Sequence, residues 1–128
     1  MAGYTLTNFE SIDNVLADRD VAIDARFARK HIDSSELGVS LFRYSPGTRA
    51  PWGHSHRVQE EAFVVIAGSG RVKLDDEIVD LRQWDVLRVA PAVIRQFEAG
   101  DAGLEMIAIG GTRPEEGDGV PVPDWWTD

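Results

Sequence analysis

From Gly38 to Ile109 the chain is divided into short apolar or alternating runs, each closed by turn residues after about eight to twelve positions, and no helical period persists among them. Gly38 to Ser45 (GVSLFRYS) has β-branched and aromatic content and stops at Pro46-Gly47. Ala62 to Ala67 (AFVVIA) is a continuous apolar run of strand length, bounded by Gly68-Ser69-Gly70. After that glycine turn, Arg71 to Leu74 alternates, and Asp75-Asp76 forms a hairpin-type turn into Glu77 to Leu81. Asp85 to Val89 and Ile94 to Glu98 follow, separated by Pro91, and Gly100 to Gly103 turns into Leu104 to Ile109. Seven or more short strands joined by turns predict an all-β sandwich or barrel. Phe63, Val65, Val72, Leu74, Leu87, Val89 and Phe97 are expected inside it.

The 128 residues suffice for one domain with a core. Residues 1–30 read as an N-terminal extension. In it Phe9, Ile12, Val15 and Leu16 have near-helical spacing, with Asn8 or Ser11 as possible caps. Ala25 to His31 is a candidate edge strand, and His31 an isolated surface histidine. The barrel is assigned to residues 31–111. The tail, residues 112–128, is rich in Gly and Pro and reads as irregular, yet Trp125 and Trp126 predict docking on this barrel or a partner's. A formal charge of −9 speaks against a nucleic-acid backbone as partner. The absence of cysteine excludes disulfides, thiolate metal sites and thiol nucleophiles. No apolar run approaches the ~18 residues of a membrane helix and the start has no signal-peptide pattern, so the chain reads as cytoplasmic, with no membrane partner.

Two of the three histidines, His54 and His56, stand at i, i+2, which on an extended backbone puts both imidazoles on one face. Glu61 follows at an odd offset, so a turn or bulge within Arg57 to Glu60 has to reverse the parity if all three are to converge. Glu60, of opposite parity, is expected to face solvent. The order Gly47, His54-Ser55-His56, Glu61, Gly68 resembles the first motif of the cupin superfamily, with one extra residue between Gly47 and His54. That resemblance implies an antiparallel jelly-roll barrel in which His54, His56 and Glu61 bind one divalent ion. With three protein ligands and open positions, Fe(II), Zn, Mn and Ni all suit the set. Cupins commonly pair through their sheets, which implies a homodimer.

The second cupin motif is altered. Along Trp84 to Phe97, Trp84 replaces the usual first Gly, Ala90-Pro91-Ala92 replaces Pro-x-Gly, and Arg95 stands where the family has a further His ligand. Arg95 shares the parity of Phe97 and so points inward. An always-charged guanidinium cannot coordinate a cation; it needs a carboxylate, from Glu61 or from a bound anion. The first case leaves a non-catalytic ligand-binding or structural cupin without metal. The second gives a metal site acting on a small carboxylate as an oxygenase or as an isomerase or decarboxylase, with Arg95 as the catalytic clamp.

Overall fold

The structure, a computed structural model, describes residues 3–128; Met1 and Ala2 of the expected N-terminal extension lie outside them. A 3-10 turn at Phe9–Ser11, capped by the Asn8 side chain accepting from the Glu10 amide, precedes eight strands. These are β1 (Ile23–Phe27), β2 (Gly38–Tyr44), β3 (Gly53–His56), β4 (Glu61–Leu74), β5 (Glu77–Arg82), β6 (Val86–Val89), β7 (Arg95–Gly110) and β8 (Gly119–Val122). All pairings are antiparallel, and the sheet curls on itself as a jelly-roll barrel. β1 pairs with β2 alone, the edge position expected for that segment, although it starts and stops earlier than Ala25 to His31. His31 is exposed and lies outside the strands.

The long pair β4 and β7 departs from the expected strand count. Gly68 to Gly70 and Gly100 to Gly103, read as turns between separate strands, are bends inside these two, which stay paired from Glu61–Gly110 to Leu74–Arg95. The ladder shifts register between Val65 and Ala67 and again between Gly68 and Gly70. There the backbones approach too closely for side chains: a Cβ on Gly70 would lie 2.2 Å from the Glu98 carbonyl oxygen. Gly68, at φ 75°, also needs the left-handed conformation that glycine adopts without strain. Glycine therefore turns the barrel corner without ending either strand.

Phe63, Val65, Val72, Val89 and Phe97 are buried in one cluster with Leu104 and Met106, while Leu74 and Leu87 pack against it partly exposed. The Phe63 and Phe97 rings lie 4.7 Å apart. Outside this core the tail is irregular except for β8, which pairs with β3. Trp126 docks on its own barrel, 4% exposed, with the Arg49 guanidinium 3.9 Å from the ring centroid and the Arg49 Nη1 donating to the Trp126 carbonyl. Trp125 packs over Gly53, where a Cβ would come within 2.8 Å of the indole. Replacing Trp126 with alanine is expected to cost about 3 kcal/mol, a fall in Tm on the order of 10 °C. A thermal melt unchanged by Trp126→Ala would show that this indole does not anchor the tail to the barrel.

Candidate metal centre

β3 is only four residues long, and its place is set by neighbours on both sides. His54 lies opposite Arg95 of β7 and Pro121 of β8, and His56 opposite Gly119. The His56 amide also donates to the Pro91 carbonyl at 2.7 Å. After His56 the chain leaves the strand for Arg57 to Glu60 and enters β4 at Glu61, and this irregular stretch reverses the parity. Glu60 is exposed and paired with Arg88. The structure thus brings His54, His56 and Glu61 together, with one ligand-type atom from each lying within 4.8 Å of the others. The two imidazole rings are 5.1 Å apart and nearly perpendicular.

Asp118, which sequence reasoning missed, fixes this arrangement. Its carboxylate, buried to 1% side-chain exposure, lies 2.9 Å from His56 Nδ1 and accepts the Val58 and Gln59 amides at 2.7 Å each. Burial alone would raise the Asp118 carboxyl; the bonds from His56, Gln59 and Val58 reverse that and hold it at about 2. An ionised carboxylate accepts, so Nδ1 carries the proton and the Nε2 lone pair is left for the site. In the sequence the only sign of Asp118 is its place between Gly117 and Gly119, which reads equally well as a turn.

His56 Nε2 and Glu61 Oε1 stand 3.1 Å apart, and His54 Nε2 is 3.8 Å from the same oxygen. Both His56 Nε2 and Glu61 Oε1 are buried, and neither has a properly angled hydrogen bond. Burial works against a charged His56, yet the Glu61 and Asp118 carboxylates outweigh it and hold the imidazole above its ordinary value. Burial likewise opposes ionised Glu61, but His54, His56 and Arg95 bring it down to about 2. A buried imidazole nitrogen and carboxylate oxygen in contact call for positive charge between them, either a proton on Nε2 or a metal ion in its place. Two neutral imidazole nitrogens and a carboxylate suit a divalent ion with open positions, so the donors present fit the expected group.

Arg95 is completely buried beside the triad, close enough for its charge to act on Glu61 and His56. It forms no ion pair with Glu61, the arrangement that would have closed the site. Its Nη2 donates to the Ala90 carbonyl at 3.1 Å, while Nε and Nη1 have no acceptor. Trp84 has φ 73°, the left-handed conformation that explains why a glycine suits this position, and its side chain is exposed. A cavity of about 560 Å³ opens onto the triad; His54, His56, Glu61 and Gln59 line it with Phe27, Phe42, Trp52, Arg29 and Arg113. Trp125 and Trp126 are not on its wall.

The Cupin domain family matches residues 40–110, which span β2 to β7. Among curated protein sequences none matches the chain. A cupin protein from Bacteroides fragilis is similar in structure, with a TM-score of 0.71 and 22% identity over 90% of this chain and 89% of that one. Oxalate decarboxylase from Bacillus subtilis superposes with a TM-score of 0.81 and 22% identity over 98% of this chain, which spans only 34% of that enzyme. A sugar phosphate isomerase from Silicibacter pomeroyi gives a TM-score of 0.72 and 18% identity over 93% of this chain and 92% of that one. At these identities the likeness is one of fold.

Proposed function

The chain belongs to the cupin family, and on that premise we propose that it holds one divalent ion on His54, His56 and Glu61 and acts there on a small organic anion. The observation that carries this reading is the convergence of His54, His56 and Glu61, with buried His56 Nε2 and Glu61 Oε1 3.1 Å apart and no well-angled hydrogen bond between them. A bound Fe, Mn, Zn or Ni ion would supply a Lewis acid, or in the case of iron a centre for oxygen activation. The protein's own residues do the rest. Asp118 keeps the Nδ1 proton on His56 and so aims Nε2 inward. Arg95 adds to the stronger effect of His54 and His56 in keeping Glu61 ionised, and, although it lies behind the cavity wall, its unmatched Nε and Nη1 are donors for an anion oxygen that reaches past the triad. Phe27, Phe42 and Trp52 offer apolar surface to the anion's body.

The likeness to an oxalate decarboxylase and a sugar phosphate isomerase, both named for anionic compounds, supports an isomerase or decarboxylase no less than an oxygenase. The division into extension, barrel (residues 31–111) and tail belongs to the same proposal, with the tail completing the site through Asp118. So does a homodimer. No helix among the described residues is long and apolar enough to cross a membrane. Elemental analysis after loading the purified protein with Fe, Mn, Zn and Ni in turn tests the reading. One ion per chain is expected, with a solvent-accessible coordination position in the Mn form by water relaxation. A protein that retains none of the four ions is not a metal cupin.

A further inference from the structure

Arg29 and Arg113 share the triad's cavity wall, and neither forms an ion pair among the described residues, although the chain carries 22 acidic side chains against 13 basic ones. The two guanidiniums lie near enough to feel each other: burial first, and then the like charge of Arg113, hold Arg29 below its ordinary value. Arg29 Nη2 is buried without an acceptor, whereas Arg113 Nη1 is spent on the Pro114 and Glu115 carbonyls. Two like charges brought together where neither has a carboxylate within ion-pair distance are costly in isolation, and a shared anion is what makes such a pair favourable.

The register places this pair relative to the triad. Gly38 of β2 lies opposite Gly110 of β7, and Gly110 lies opposite Glu61 of β4, so the three positions form one row and face the same side of the sheet. Gly38 has no side chain because the Arg29 guanidinium occupies that space: a Cβ there would be 3.0 Å from Nη2. Gly110 is similarly covered by the Gln59 amide, 2.3 Å from a would-be Cβ. Arg29, Gln59 and Glu61 therefore follow one another across the cavity wall, with the guanidinium two strand spacings, roughly 10 Å, from the triad. Phe27 and Phe42, in edge contact at 5.8 Å, supply apolar surface on the same wall.

We propose that Arg29 and Arg113 form an anion subsite for the far end of the ligand, which selects amphipathic organic acids whose carboxylate stands about 10 Å from the group presented to His54, His56 and Glu61. This rests on the cavity being the ligand chamber of the proposed function, but not on the ion. The subsite is separate from Arg95, which is not on the cavity wall.

The test uses 4-phenylbutyrate and its uncharged amide, 4-phenylbutyramide, titrated calorimetrically into the full-length, metal-free protein. The carboxylate is expected to bind at least roughly tenfold tighter than the amide, the worth of one charge-assisted contact. The Arg29→Gln/Arg113→Gln double variant should bind both equally, with amide affinity within about twofold of wild type. Arg113→Gln alone, which leaves the Arg29 contact with Gly38 in place, should lose roughly threefold of the preference, and Arg29→Lys should keep part of it. Absence of binding, absence of a preference, or a preference that survives the double variant overturns the inference. If the preference survives there but disappears in Arg95→Met, the anion sits at Arg95; the subsite is then wrong and the proposed function stands. A preference removed by the double variant in a protein that retains no metal leaves the subsite standing while the metal reading falls.

Discussion

Replacing His56 with alanine should lower affinity for the loaded ion by roughly 100-fold or more, since even the loss of a group that only orients a ligand costs 10- to 100-fold. The barrel should stay folded. His56 belongs to β3 rather than to the buried apolar cluster, and its backbone bond to Pro91 does not depend on the side chain. Asp118 would lose one partner but keep the Val58 and Gln59 amides, so the Arg57 to Glu60 stretch remains tied. Two further variants separate ligand from support. Glu61→Gln removes the negative charge at nearly constant volume and should match His56→Ala, whereas Asp118→Asn should weaken binding by only about 10- to 100-fold. Equal metal retention by wild type and His56→Ala, by elemental analysis and competition titration, would place the ion somewhere else.

Arg95→Met should change metal binding and anion binding in opposite directions. The unbranched replacement keeps much of the buried stem's volume while removing a cation whose field reaches Glu61 and His56. A divalent ion at the triad then meets less repulsion, and a tenfold gain in affinity corresponds to about 1.4 kcal/mol, modest for a unit charge at partly buried range. If the anion reaches past the triad to Nε and Nη1, as proposed, acetate binding to the metal-loaded protein should weaken by roughly 2 to 5 kcal/mol. Tighter metal with unaltered acetate binding would show that Arg95 serves Glu61 alone. Weaker metal in Arg95→Met would mean that the guanidinium holds the triad's geometry more than it repels the ion.

How much of this was legible beforehand depended on the range of each interaction. The strand content and the inward set from Phe63 to Phe97 follow from local alternation, and Asn8 as a cap follows from its neighbours. The triad could be read for the same reason: its members span eight residues, and the parity argument already required a break between His56 and Glu61. The bends at Gly68 and Gly103 read as turns because a glycine cluster looks the same whether a strand ends there or merely needs a close approach to another backbone. Asp118 and Arg113 could not be assigned, since each acts across the barrel on residues tens of positions away. The tail's composition gave no sign that it would pair with β3.

That pairing governs when the site can exist. His56 leaves the ribosome 62 residues before the carboxylate that sets its tautomer, so during synthesis the two histidines are exposed as an unoriented pair on a strand whose second neighbour, β8, has not yet been made. A closure over that distance cannot form until both segments have been made. The centre is therefore completed only once the segment carrying Asp118 has been made, well behind the histidines it orients, and a fully oriented site is a property of the closed barrel rather than of the nascent one.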